Sequence, residues 1–172
     1  MRLATATLFL FSLIASSACA QQPTSSQRAG ASSASSYTAA APTASKAPDL
    51  QWGPAPPVFP AGAQMAVLQG NPGAASLFTV RLRLPSGYKI APHTHPTDEH
   101  VTVIKGTFLV GMGASVDRKS MLTLHAGGFV TAPADHAHYA VTEGHTEVQV
   151  HAMGPFVMTY VNPADDPRAT KQ

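Results

Sequence analysis

The sequence predicts an all-β domain, a sandwich or barrel of short strands. Three observations predict it. Residues 77–84 alternate, with Leu77, Thr79, Arg81 and Arg83 set against Phe78, Val80, Leu82 and Leu84. That is the period of a strand with one polar and one buried face. Short apolar runs recur between turns such as Asn71-Pro72-Gly73 and Pro85-Ser86-Gly87, which punctuate strands. No window carries the 3.6-residue period of an amphipathic helix.

The elements follow in order. Residues 1–20, MRLATATLFLFSLIASSACA, read as a signal peptide. Arg2 supplies the positive start, the apolar stretch is too short to span a bilayer, and Ala18-Cys19-Ala20 is a small-residue cleavage site. The expected product is periplasmic or secreted and begins at Gln21. Cys19 also admits the alternative of a lipid anchor, although Ser16 stands where bacterial lipoproteins usually carry leucine. Residues 21–50 are rich in Ser, Ala, Thr and Pro and read as a disordered linker. Residues 51–163 form the barrel, and 164–172 a polar tail.

Within the barrel, Trp52, Val58 and Phe59 sit in a proline-punctuated segment expected to dock on the strands. Strands are expected at 65–70, 75–85, 88–90, 100–104, 107–112, 120–124, 129–132, 138–141, 146–153 and 156–160. Phe108, Met112, Met121, Phe129, Phe156 and Met158 are the expected core residues.

Composition narrows the partners. A chain of 172 residues with a net charge of +2 and 12% charged residues has no basic cluster larger than Arg118-Lys119. Nothing in it suits a nucleic-acid surface. Cys19 is the single cysteine, so cleavage after Ala20 leaves a domain without disulfides or thiolate ligands. No transmembrane span is expected.

The chemistry concentrates between Gly87 and Gly106, GYKIAPHTHPTDEHVTVIKG. His93 and His95 are two apart and share a face if the chain is extended there. Pro96 interrupts, and Glu99 can return its carboxylate toward both. Imidazoles with one carboxylate suit Zn, Cu, Fe, Ni or Mn. Further on, Gly127, Pro133, Asp135 and His138 repeat a second ordered spacing.

These two runs resemble the two signature motifs of the cupin superfamily. Asp135 stands where the family usually has glycine, and Asp tolerates the left-handed geometry of a tight turn. Thr142 stands where many members have asparagine. The resemblance implies a jelly-roll (double-stranded β-helix) fold and one divalent ion, Fe, Mn, Ni, Cu or Zn, held by His93, His95, Glu99 and His138. It also implies a small-molecule ligand, and often a homodimer. Glu99 can instead serve as a catalytic base. His136 rivals His138 but lacks the motif spacing. His100 should face away from the site, and His125 and His145 should be exposed. Gln149 and His151 share one face of residues 146–153 and are candidate pocket groups if that face lines the barrel.

Whether the protein turns anything over is left open by the sequence. The reading favoured is a metal-dependent enzyme, a dioxygenase or isomerase, with dioxygenase-like chemistry ahead. The alternative is a periplasmic metal or small-ligand binding protein. Fold alone does not choose between them.

Overall fold

Strands account for nearly all the regular structure in the computed structural model, which describes residues 49–169 together with Ala44 and Lys46. They are β1 (Gly53–Pro54), β2 (Gln64–Gln69), β3 (Leu77–Leu84), β4 (Lys89–Thr94), β5 (Glu99–Met112), β6 (Leu122–His125), β7 (Phe129–Ala132), β8 (His138–Met153) and β9 (Thr159–Tyr160). A short 3-10 turn, Pro163–Asp165, follows, capped by the Asn162 side chain. These residues fall in one compact unit, Ala41–Gln172. The expected signal peptide, with Cys19, and nearly all the expected linker lie outside the described residues. No described helix is long and apolar enough to cross a membrane.

All pairings are antiparallel, and the sheet curls around two long strands, β5 and β8, paired along their lengths. β8 pairs with β4 through its first half and with β3 through its second. β5 pairs with β7 near its start and β6 near its end. This is the expected cupin-type barrel, with one correction. Separate strands were expected either side of residues 105–106 and 142–145, but each pair runs as one bent strand. Gly106 and Gly144 have φ of 84° and 74°, which bends a strand through a bulge without ending it. A Cβ on Gly106 would lie 2.5 Å from the His145 carbonyl oxygen, so the two bends fit against each other.

The core follows the alternation. Phe78, Val80, Leu82 and Leu84 are buried, and Val101, Val103, Phe108, Val110, Val148 and Val150 meet them from β5 and β8. Burying Phe78, 1% exposed, stabilises by about 1.5–3 kcal/mol. Phe108 and Met158 are core as expected, but Phe129 is 57% and Met112 39% exposed. Phe129 pairs with Thr102 and therefore shares that residue's outer face; its apolar character gave no clue to its side.

Two tyrosines pin the segment ahead of the barrel. The Tyr160 hydroxyl donates to the Val58 carbonyl at 2.8 Å, and the Tyr88 hydroxyl donates to that of Pro60. Between these anchors Phe59 turns inward, 8% exposed. Trp52 docks outside, under the Arg83 guanidinium at 3.7 Å. Thr142 has structural work where many family members have asparagine: its hydroxyl donates to the Pro85 carbonyl and accepts from the Tyr88 amide, closing the 85–88 turn.

Candidate metal centre

His93 reaches the barrel interior through an irregularity. β4 pairs with β8 at Ile90↔Ala140 and again at His93↔His138, with a register shift between. Ile90 and His93 are three apart, so strict alternation would put them on opposite faces. The shift lets both line the same interior space. It also sets His93 directly across from His138, the first residue of β8.

β4 ends at Thr94, and His95 lies just beyond it. The Asp135 amide donates to the His95 carbonyl at 2.7 Å. Asp135 has φ of 58°, so an aspartate takes the left-handed position where the family usually has glycine. Asp98 supports the same corner, accepting from the Ala134 amide at 2.8 Å. Glu99 opens β5 between two alanines, Ala132 on β7 and Ala152 on β8. Their small side chains leave its carboxylate room on the inner face.

The three imidazoles converge. Ring centroids are 4.3 Å apart for His93 and His138, 4.9 Å for His93 and His95, and 5.2 Å for His95 and His138. One ring nitrogen from each lies within 4.8 Å of the others, and all three residues are buried. The Glu99 Oε2 atom is 3.3 Å from His138 Nε2 and 3.8 Å from His95 Nε2. His136 is exposed and takes part only through its carbonyl.

Backbone acceptors fix the tautomers. His93 Nδ1 donates to the Ala91 carbonyl at 2.8 Å, His95 Nδ1 to Val157 at 2.8 Å, and His138 Nδ1 to His136 at 3.1 Å. A carbonyl can only accept, so each Nδ1 carries a proton and each Nε2 is the atom left to face an ion. His95 Nε2 and His138 Nε2 are buried with no hydrogen-bond partner. An orphaned buried polar atom is costly, and two beside a carboxylate make an arrangement that a cation would satisfy. The residues present therefore fit a divalent ion, and the donor chemistry fits the N/O-binding metals.

Electrostatics agree. Burial, then the neighbouring His138, holds His93 down to about 3, so this imidazole stays neutral. Burial also lowers His95, against the pull of Glu99. Burial pushes Glu99 up, but the contact with His138 and the charges of the other imidazoles outweigh it, and its carboxyl ends below the usual range. For His138 burial works downward, and the Glu99 contact reverses it to a net rise. Without a cation, Glu99 and His138 thus share charge; a metal there competes with the proton on His138.

Several supporting groups carry no signal in the local motifs. Phe156 stacks on His95, with centroids 4.3 Å apart and planes 26° apart, and packs edge-on against Phe78 at 5.3 Å. Tyr160 lies 5.9 Å from His93. Phe156 and the Val157 carbonyl sit some sixty residues beyond His95 in the chain, so only the fold reveals them.

Gln149 and His151 are not pocket groups, which corrects the expectation. They occupy the outer face, opposite Val148 and Val150. His151 Nδ1 pairs with the Thr79 hydroxyl at 3.0 Å, the Gln149 amide contacts His151 Nε2 at 3.1 Å, and Arg81 Nε donates to Gln149 Oε1 at 3.1 Å. Arg81 and Arg83 both meet Glu147 at 3.1 Å. This ladder satisfies the polar rows of β3 and β8 on the outside. His100 is on the outer face too, bonded to the Thr131 hydroxyl at 3.0 Å and stacked on Phe129. His125 and His145 are exposed.

Similar folds occur in solved structures of low identity. An acetylacetone dioxygenase from Acinetobacter johnsonii has a TM-score of 0.57 at 17% identity, covering 76% of this chain and 83% of its own. The polyketide cyclase RemF from Streptomyces resistomycificus has a TM-score of 0.57 at 16% identity, covering 72% and 88%. An RmlC-like cupin from Shewanella frigidimarina has 0.50 at 18%, covering 64% and 90%. At such identities they speak for the fold alone. No curated protein matches the chain. Residues 40–157 match the ChrR cupin-like domain, a span that takes in strands β1 to β8, both motifs and every histidine of the cluster: the chain belongs to the ChrR cupin-like family.

Proposed function

We propose that the protein is a metal-dependent cupin enzyme that acts on a small, uncharged or weakly acidic organic molecule, with oxygen-dependent chemistry favoured. One observation carries this reading. Three tautomer-fixed imidazoles present free Nε2 atoms to one point beside an ionised carboxylate, and two of those atoms have no other partner. His93, His95 and His138 would hold the ion, with Glu99 as fourth ligand or as base. A bound ion would supply Lewis acidity and, if redox-active, activation of dioxygen.

The chain's own residues set the rest. Glu99, held below the ordinary carboxylate range, is ionised and can take a proton from a molecule beside it. The carbonyls of Ala91, Val157 and His136 keep the rings oriented. The dioxygenase and cyclase among similar folds agree with small-molecule chemistry on this scaffold. Export, with a mature start at Gln21, belongs to the same proposal and rests on residues 1–20 alone.

Metal analysis and oxygen uptake test it together. Native protein should carry one divalent ion per chain, lost on His93→Ala, His95→Ala or His138→Ala and kept in His136→Ala. Protein loaded in turn with Fe, Mn, Ni and Cu should then consume oxygen with a member of a panel of phenols, diketones and enediols. Loss of uptake on Glu99→Gln with the metal retained would assign Glu99 as the base. Ligand binding without turnover for any metal would make the protein a binding protein, and retention of metal by His138→Ala would refute the site.

A further inference from the structure

Two cavities meet at one wall. A small one, about 30 Å3, lies inside the barrel against His93 and His138. A larger one, about 230 Å3, lies beneath the segment that precedes the barrel. Four residues line both: Phe59, Leu82, Glu99 and Val150. The small cavity has room for a water or two. Of the two, only the larger has room for an organic molecule, and it meets the histidine side across Glu99.

The larger chamber is apolar but for one group. Glu99 is the single polar side chain among the residues that line it, and the others include Val58, Met65, Phe78, Val80 and Phe156. An anion would lose hydration there without gaining a partner, and it would face the Glu99 carboxylate. A dry cavity of about 150 Å3 is enough to take benzene. This chamber accordingly suits a ring with a short chain, or a hydrocarbon of that bulk.

Phe59 stands out in the shared wall. Leu82, Glu99 and Val150 belong to β3, β5 and β8, whereas Phe59 comes from the turn ahead of the barrel. That turn is held by its own bond, Phe59 amide to Pro56 carbonyl at 2.9 Å, and by the hydroxyls of Tyr160 and Tyr88 on Val58 and Pro60. A ring clamped on both sides makes a fixed end to the chamber. Removing it opens the chamber into the inner cavity.

We infer that this chamber binds the body of a neutral, mainly hydrocarbon molecule whose one polar group faces Glu99, and that Phe59 is the specificity residue that limits its length. The inference rests on the proposed metal site only for what happens to the polar group. Binding in the chamber itself requires no ion.

Calorimetric titration with 4-alkylphenols of increasing chain length tests it, on metal-loaded and metal-stripped protein, with benzoate as the charged control. Affinity should rise about fourfold per added methylene until the chamber is full, and then fall. Benzoate should bind at least tenfold more weakly than phenol. Phe59→Ala and Phe59→Leu should move the turning point to chains longer by two carbons or more, and Met65→Trp should weaken every member at least tenfold. If Phe59→Ala fails to fold by circular dichroism, Phe59→Leu and Met65→Trp carry the test. No binding of any neutral member, or a turning point unmoved in the Phe59 variants, overturns the inference. Wild-type protein that binds no divalent ion but keeps the length limit would sink the enzyme proposal and leave the chamber standing.

Discussion

Replacing His95 with leucine should stabilise the metal-free protein while abolishing its response to metal. His95 is 2% exposed. Its Nε2 has no partner, its Nδ1 bonds the Val157 carbonyl at 2.8 Å, and its ring lies on Phe156. The orphaned nitrogen costs about 1–3 kcal/mol, and the lost Nδ1 bond is worth about 1 kcal/mol. A leucine of similar volume keeps the apolar contact with Phe156. The variant should therefore be between neutral and about 2 kcal/mol more stable than wild type in chelator. The metal arm has the opposite sign. At a hundredfold excess over Kd, an ion that binds only the folded state adds about 2.7 kcal/mol. For a domain of this size about 1 kcal/mol moves Tm by roughly 4 °C. Wild type should thus gain about 10 °C with Zn, and His95→Leu nothing. Thermal unfolding followed by circular dichroism, with chelator and then with Zn, measures both arms. A variant that is clearly less stable in chelator yet keeps the full metal shift would show that His95 is a packing residue, and the tautomer reasoning would fail with it.

Three further outcomes are expected. Metal-free protein should lose stability on acidification between about pH 6.5 and about pH 4.5: the unfolded chain takes up protons that buried His93, at about 3, and His95 refuse, at up to about 1.4 kcal/mol per pH unit for each such proton. His138, raised, contributes stability that is lost only above that window, and Glu99, lowered, only below it; urea midpoints for wild type and His93→Leu should show a shallower slope in the variant, and equal slopes would contradict the assignment. Gly111→Ala should destabilise by about 2 kcal/mol or more, the range of overpacked cores, because a Cβ there would sit 2.3 Å from the Tyr139 ring, whose hydroxyl is held by Asp117; a change in denaturant midpoint below experimental error would refute the packing. Intact-mass measurement of native material should find the chain starting at Gln21, and a diacylglycerol on Cys19 would replace the soluble form with a lipid-anchored one.

The sequence by itself determined the fold class and named the histidines that the fold brings together. Alternation from Leu77 to Leu84 names the buried set, because side-chain direction on a strand repeats every two residues. The spacings around His93, His95, Glu99 and His138 are local, so they could be read without knowing what packs on them. Even Asp135 at φ 58° was legible, since few residues other than glycine accept that geometry. Tertiary structure alone decided the rest, for three physical reasons. Glycines at 106 and 144 can end a strand or bend it, and only the partner strand shows that they bend. An alternating run such as Thr146 to Met153 states that two faces differ without saying which is inside. The outer ladder from Thr79 to Glu147 settles that for Gln149 and His151, just as pairing with Thr102 turns Phe129 outward. Finally, the register shift that brings His93 inward beside Ile90, the stack of Phe156 on His95, and the chamber closed by Phe59 all join segments far apart in the chain. No local pattern encodes such contacts, because each exists only when the barrel has closed.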